Sequence, residues 1–160
     1  MTADVKRYCL PEELEPDLLR IHAYWNGLKR GANDIPFSDD VKFSLRSRLG
    51  RESMLIDVFE NPRRFRFDIM GADVTDWYGA TIGNGFVDEI DLAAPFDELP
   101  PQCGATVEGR APTYYRRTAS GKTDAGHPGG YGRLLLPLWG NGRIEMLLGA
   151  VIPDKATRRD

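Results

Sequence analysis

Tyr131-Gly132-Arg133-Leu134-Leu135-Leu136-Pro137-Leu138-Trp139 is followed by Gly140-Asn141-Gly142 and then by Arg143-Ile144-Glu145-Met146-Leu147-Leu148-Gly149-Ala150-Val151-Ile152. Asn-Gly between two apolar-rich runs is a strong two-residue hairpin signal, because both turn residues must take positive φ. The stretch therefore predicts two antiparallel strands. Upstream, the glycine-rich segment 119–130 joins this hairpin to a third strand candidate, 111–118, which carries Tyr114 and Tyr115 among arginines. Further back, Phe65, Phe67 and Ile69 alternate with Arg66 and Asp68, the pattern of a half-buried strand. Met54, Ile56 and Val58 alternate with Leu55, Asp57 and Phe59, and Asn61-Pro62-Arg63 turns the chain between these two runs. Two strands make no stable sheet alone, whereas five do.

The segments outside the strands read as helical. Leu14, Leu18, Ile21, Trp25 and Leu28 recur at helical spacing and predict a helix over 11–29, with Pro16 as an objection unless the helix begins near Leu14. Ser38 reads as an N-cap for a second helix through Leu49, ended by Gly50. Between the second and third strands lie short pieces at 73–78 and 86–92, and a longer helix opened by Pro95, interrupted near Pro100-Pro101 and running to about Glu108. Residues 154–160 form a charged tail. Short middle helices must cover one face of the sheet, and the opening helices either cover the other face or pair with a second subunit. That is an α+β domain.

A chain of 160 residues suits one domain and buries roughly 70% of its unfolded surface. A hydrophobic fraction of 41% rules out disorder of the whole chain. No apolar run approaches the ~20 residues needed to span a bilayer, and none follows the basic pair near the N-terminus as a secretory signal requires. Twenty-one basic against 24 acidic side chains leave −3, which argues against a dedicated nucleic-acid binder. Cys9 and Cys103 belong to no metal-ligand spacing; a disulfide stays open, and two reduced thiols of a cytoplasmic protein are the preferred reading.

Three groups of residues carry a closer likeness. They are Trp25-Asn26-Gly27-Leu28-Lys29 with Ile35-Pro36, then Phe65-Arg66-Phe67-Asp68-Ile69-Met70-Gly71, and finally Arg133-Leu134-Leu135-Leu136-Pro137-Leu138 with the Gly142 turn and the strand 144–151. In these residues and in its order of elements the chain resembles the short stand-alone PAS-domain proteins of alphaproteobacteria. The resemblance implies a PAS fold: a five-stranded antiparallel sheet covered by short helices on one face, with two N-terminal helices. On this reading 1–51 is a helical extension, 52–153 the PAS core and 154–160 the tail. It further implies a cytoplasmic sensory or signalling role, a protein partner and a homodimer, and it supplies no catalytic residues. The flavin-photoreceptor motif of the wider class is absent, with Cys103 in a different context, Pro100-Pro101-Gln102-Cys103-Gly104. The helix before the third strand lacks the histidine of haem-binding members. Flavin–thiol photochemistry and His-ligated haem are therefore not supported, and any cofactor is unknown.

Other motifs favour plain readings. Gly121-Lys122-Thr123 lacks the first glycine of a phosphate-binding loop, and His127-Pro128-Gly129-Gly130 has no nucleophile elbow to serve. Asp88, Glu89 and Asp91 lack calcium-loop spacing and read as a solvated face. His22 beside the apolar stripe reads as half-buried packing, and no structural zinc or other metal site is expected. Arg63, Arg64, Arg66, Arg116, Arg117 and Arg133 read first as a solvated sheet face with cross-strand ion pairs, and second as a site for an anionic partner. Trp77, Tyr78, Phe86, Tyr114, Tyr115, Leu136 and Met146 are the candidates for a ligand pocket between sheet and helices, or else ordinary core. Trp25 and Leu28 are the candidates for a dimer or partner contact, since their stripe must be buried somewhere.

The leading functional expectation is a non-enzymatic sensory or signalling module that binds a small ligand, a protein partner or both, with no nucleic acid and no membrane involved. The alternative is a small pocket enzyme of isomerase or hydratase type, with Asp68, Asp57 or Tyr114 as acid–base groups. Alternation places Asp57 and Asp68 opposite the more apolar faces of their strands, which weighs against it. A structural adaptor with a filled core is the third reading.

Overall fold

The hairpin closes as expected in the computed structural model, which describes residues 5–41, 48–118, 121 and 129–154. Strands β4 (Tyr131–Gly140) and β5 (Arg143–Pro153) pair antiparallel through the Asn141-Gly142 turn, both residues at positive φ. With β1 (Ser53–Phe59), β2 (Arg64–Met70) and β3 (Thr113–Arg117) they form one antiparallel sheet of order β2-β1-β5-β4-β3. The protein is therefore α+β with a five-stranded antiparallel sheet.

The helices differ from the sequence reading where proline and glycine decide. Helix α1 spans Pro16–Gly27 and not 11–29, because Pro16 lacks an N–H and stands in the first turn, where none is needed. Ser38–Asp40 makes one 3-10 turn, and Val41 is already extended, so no continuous helix runs from Ser38 to Leu49. Helix α2 is only Arg48–Arg51, with Gly50 inside it and not ending it; residues 42–47 of the expected helix lie outside the described residues. Helix α3 covers Ala72–Tyr78, close to expectation. The piece expected over 86–92 shrinks to a 3-10 turn at Val87–Glu89. Helix α4 is Leu99–Gly109, so Pro95 does not open it. Pro100 and Pro101 do not interrupt it either, for they fall in its first turn. Gly71, between β2 and α3, donates its N–H to Ser53 O at 2.8 Å, and a Cβ there would overlap the carbonyl oxygens of Gly50 and Arg51.

Strand alternation gives the sheet two apolar faces. On one, Met54, Ile56, Phe67, Leu135 and Leu147 pack against Val74, Trp77, Phe96, Leu99 and Cys103 of α3, α4 and their connection. On the other, Leu55, Leu134, Leu136, Leu138 and Leu148 pack against Leu18, Ile21 and Trp25 of α1. The stripe of α1 is thus buried by the chain's own sheet.

Strand β3 covers only the first half of β4, from Tyr131 to Leu135. Beyond it the edge of β4 is closed by other means. Pro137 has no N–H to leave unpaired, and its carbonyl accepts the indole Nε1–H of Trp25 at 2.8 Å. The Trp139 N–H donates to Pro36 O at 2.8 Å, and Phe37 bridges Trp139 in parallel. A bare sheet edge invites pairing with another chain. Here α1 and the segment 36–37 occupy that place.

Candidate functional site

The space between the sheet and α3 and α4, where the resemblance places a ligand, is filled by rings. Phe67 and Tyr78 each stand 5.0 Å from Phe96, centroid to centroid, and Trp77 meets Tyr131 edge-on at 5.3 Å. At the centre of this layer lies Arg133, fully buried on β4. Its Nε–H donates to Gln102 Oε1 at 2.7 Å, and its two terminal nitrogens donate to Pro95 O at 2.9 Å and Asp97 O at 2.8 Å. The guanidinium stacks 4.7 Å from the Tyr115 ring. No carboxylate among the described residues pairs with it. Burial pulls its pKa down from the usual arginine value.

The neighbours of Arg133 extend the network. Gln102 Nε2 donates to Thr113 Oγ1 at 3.1 Å, and Thr106 and Thr113 share a hydrogen bond at 2.6 Å. Tyr131 donates its hydroxyl to Asp97 Oδ1 at 2.6 Å and accepts the Asp97 N–H at 3.0 Å. Arg133 thereby fastens the turn 95–98 and α4 to the sheet. Buried polar networks are stable only when every member is satisfied. The sequence carried one signal of it: a lone arginine between Tyr131 and Leu135 on the inward side of an apolar strand. Grouping it with the surface arginines missed it.

The other five arginines of that group make the ion pairs expected of a solvated face. Arg66 pairs across the strands with Asp57 at 2.8 Å, Arg64 with Asp88 at 2.8 Å and Arg63 with Glu60 at 3.2 Å. Arg116 meets Glu15 at 2.9 Å and also Asp154, and Arg117 meets Asp97 at 3.2 Å. A groove of about 420 Å³ between the Val5–Tyr8 turn and β3 is bordered by Arg7, Arg116 and Arg117. It offers no free anion site, because Arg7 is held by Glu98 at 2.7 Å and the other two by the carboxylates just named.

The seven pocket candidates do not meet in one cavity. Trp77, Tyr78 and Tyr115 belong to the face under α3 and α4, whereas Tyr114, Leu136 and Met146 belong to the face under α1. Tyr114 and Tyr115 are neighbours on one strand and must point to opposite sides. Phe86 stands at the outer edge beside β2, with its ring 5.7 Å from Phe59 and under the Arg64 guanidinium at 3.8 Å. Of the contact candidates, Trp25 is 3% exposed inside the chain's own second core and Leu28 is half-buried. The need to bury the α1 stripe is met within the chain and gives no reason to place Trp25 between chains.

Asp57 and Asp68 stand in neither core. Asp68 is the extra residue of a β-bulge in β2, exposed, with its carboxyl raised by partial burial and by nearby Asp57. His22 is half-buried with its ring 5.7 Å from Trp25, and burial lowers its pKa. Asp88 and Glu89 are exposed partners of Arg64. Cys9 and Cys103 form no disulfide with each other; Cys9 is exposed, and Cys103 is buried with its thiol pushed up to about 12 by burial. Among the described residues no group of three or more His, Cys, Asp or Glu side chains could hold a metal ion. Also among them, no helix is long and apolar enough to cross a membrane. Lys122, Thr123 and His127 lie outside the described residues.

Burial raises the phenols of Tyr8, Tyr78, Tyr114, Tyr115 and Tyr131, with Tyr8 and Tyr114 at about 12. In the unfolded chain these groups ionise near 10.0. The stability conferred by keeping them neutral is thus complete below pH 10 and is lost as the pH climbs towards 12. A tyrosinate absorbance titration should give a later rise for the folded protein than for the same chain in urea. Coincident curves would remove the burial assigned to these rings.

Two further grooves are open to solvent. One of about 240 Å³ lies over Trp77 and Val151 with Glu52, Asp73 and Asp76 on its rim, and Asp73 is held by Arg51 at 2.8 Å. The other, of about 290 Å³, lies at the far end of the β4–β5 hairpin between Trp139, Phe37, Ile35 and Arg110.

Comparison of the chain with protein-family models, with curated proteins and with solved structures found no match.

Proposed function

We propose that the chain is a non-enzymatic sensory or signalling module of PAS type that acts by contact with a protein partner. The observation that carries the reading is the sheet order β2-β1-β5-β4-β3 with short helical pieces inserted between β2 and β3 and laid over one face. That arrangement is compatible with a PAS-like fold and with the resemblance in the residues around Trp25, Phe67 and Arg133.

Within this reading, the protein partner is favoured over a small ligand held between sheet and helices. The interior is occupied by Phe67, Trp77, Phe96, Tyr131 and the Arg133 network, and the described cavities open at the surface. The acid–base alternative lacks support from geometry, since Asp57 is bound to Arg66, Asp68 is exposed, and Tyr114 donates to Glu15 at 2.9 Å. A cytoplasmic location and a homodimer belong to the same proposal.

The test is an absorbance spectrum of freshly purified protein with mass spectrometry under native and denaturing conditions. The native mass is expected to equal the chain or a whole multiple of it, with no visible chromophore and nothing released on denaturation. A released small molecule would overturn the preference for a partner and establish a ligand sensor. The native mass also reads the oligomeric state directly, and a monomer at all concentrations would overturn the homodimer.

A further inference from the structure

Arg110 is the one arginine with a described side chain whose guanidinium makes neither a hydrogen bond nor an ion pair. It follows the last residue of α4 in the left-handed region, φ 53°, and caps the helix by its N–H to Thr106 O at 3.0 Å. Glycine is the usual residue in such a place, because a Cβ disfavours that conformation. Strained positions of this kind cluster at functional sites. Here the strained residue is an arginine, and its guanidinium rests 5.4 Å from the Trp139 ring at the mouth of the 290 Å³ groove.

The groove's apolar wall is fixed by the backbone. The register of the β4–β5 pair shifts between Leu138 and Trp139, where Leu138 opposes Met146 and Trp139 opposes Ile144, so the extra residue is Glu145 of β5 and Trp139 keeps the alternation of β4. Trp139 is then tied by its N–H to Pro36 O, and Phe37 is bridged to Trp139. Ile35, Phe37 and Trp139 are half-buried, while Arg110 and Asp34 are exposed on the rim. A wall held in this way is preorganised for a contact.

We propose that this groove docks a segment of the partner protein that carries one carboxylate beside an apolar side chain. The proposal rests on the partner-contact reading above. The carboxylate pairs with Arg110, whose planar fork suits that group, and the apolar side chain lies on Trp139 and Phe37. Asp34 has no ion pair among the described residues and disfavours a second negative charge, so the segment holds a single acid and not an acidic run. A free small molecule fits less well. The volume is at the low end for a ligand pocket, and an exposed rim cannot enclose most of a small ligand's surface, whereas a side chain on a larger partner needs no such enclosure.

The experiment follows the three tryptophan indole N–H signals by two-dimensional NMR, each assigned by substitution, as defined probes are added. The probes are acetyl-leucyl-glutamyl-leucine amide, its glutaminyl counterpart, and glutarate alone. The glutamyl peptide is expected to move the Trp139 signal saturably while those of buried Trp25 and Trp77 stay in place. Binding should weaken about tenfold with the glutaminyl peptide and in Arg110→Gln, the loss expected for one charge-assisted contact. A response equal for both peptides, or unchanged in Arg110→Gln, would overturn the proposal, as would no response at all. Glutarate binding as tightly as the peptide would replace the docked segment with a small-carboxylate site. None of these outcomes alters the native-mass result, so the groove and the partner-contact reading fail separately.

Discussion

Replacing Arg133 by methionine is expected to destabilise the fold by about 3 kcal/mol or more, although methionine is apolar and of similar length. Three acceptors, the buried Gln102 Oε1 and Pro95 O and the half-buried Asp97 O, would lose their donors at once. Each buried group left unsatisfied costs ~1–3 kcal/mol. Against this stands the relief of desolvating a guanidinium, which in other proteins makes exchange of a buried charge for a hydrophobe neutral or favourable. The acceptors decide the sign here, because they belong to backbone and to a side chain that the substitution leaves behind. Arg133→Lys should fall between the two, since it keeps the charge and offers a point donor where the site is built for a fork. Urea unfolding reads the order directly, with the midpoint moving and the slope unchanged. A methionine variant as stable as the wild type would show that the three acceptors find other donors, and would remove Arg133 as the fastener of α4. Hydrogen exchange adds a local readout: the Asp97 N–H, bonded to Tyr131, should lose protection in the methionine variant before the β4–β5 ladder does.

The sheet was legible because its signals are local. Asn141-Gly142, the alternation around Phe67 and the turn at Asn61 each name an element without help from the rest of the chain. Helix bounds were less legible, and the errors share one cause. A sequence reading makes Pro100-Pro101 a breaker and Pro95 an opener, whereas position within the first turn decides which a proline is. The seven pocket candidates are divided between two faces for a different reason. Residue type groups them, while strand geometry sends Tyr114 and Tyr115 to opposite faces and puts Leu136 with α1. Arg133 and Arg110 show what sequence reading lacked. Both are polar residues whose meaning comes from partners far away in the chain: the carbonyls of the turn 95–98 for one, and the indole of Trp139 for the other. Charge counting placed Arg133 on the surface, and no local pattern marked Arg110.

Trp25 allows the two opposed readings of the first helix to be separated. Trp25→Ala is expected to cost about 3–5 kcal/mol, the range for removing a buried tryptophan from a core. Trp25→Phe keeps most of the packing and loses only the indole N–H, so the carbonyl of Pro137 is left buried without its donor, at ~1–3 kcal/mol. That carbonyl lies on the part of β4 that β3 does not reach, so the loss also bares a sheet edge, and the phenylalanine variant should aggregate more readily on heating. Size-exclusion light scattering of the folded phenylalanine variant is expected to give the wild-type mass, because Trp25 faces Leu55, Leu134 and Leu148 of its own chain. A phenylalanine variant with full stability and a lower mass would reverse the assignment and place Trp25 between chains. The two observables move independently, which is what makes the variant informative: a residue that seals its own sheet changes the unfolding midpoint, and a residue that joins two chains changes the mass.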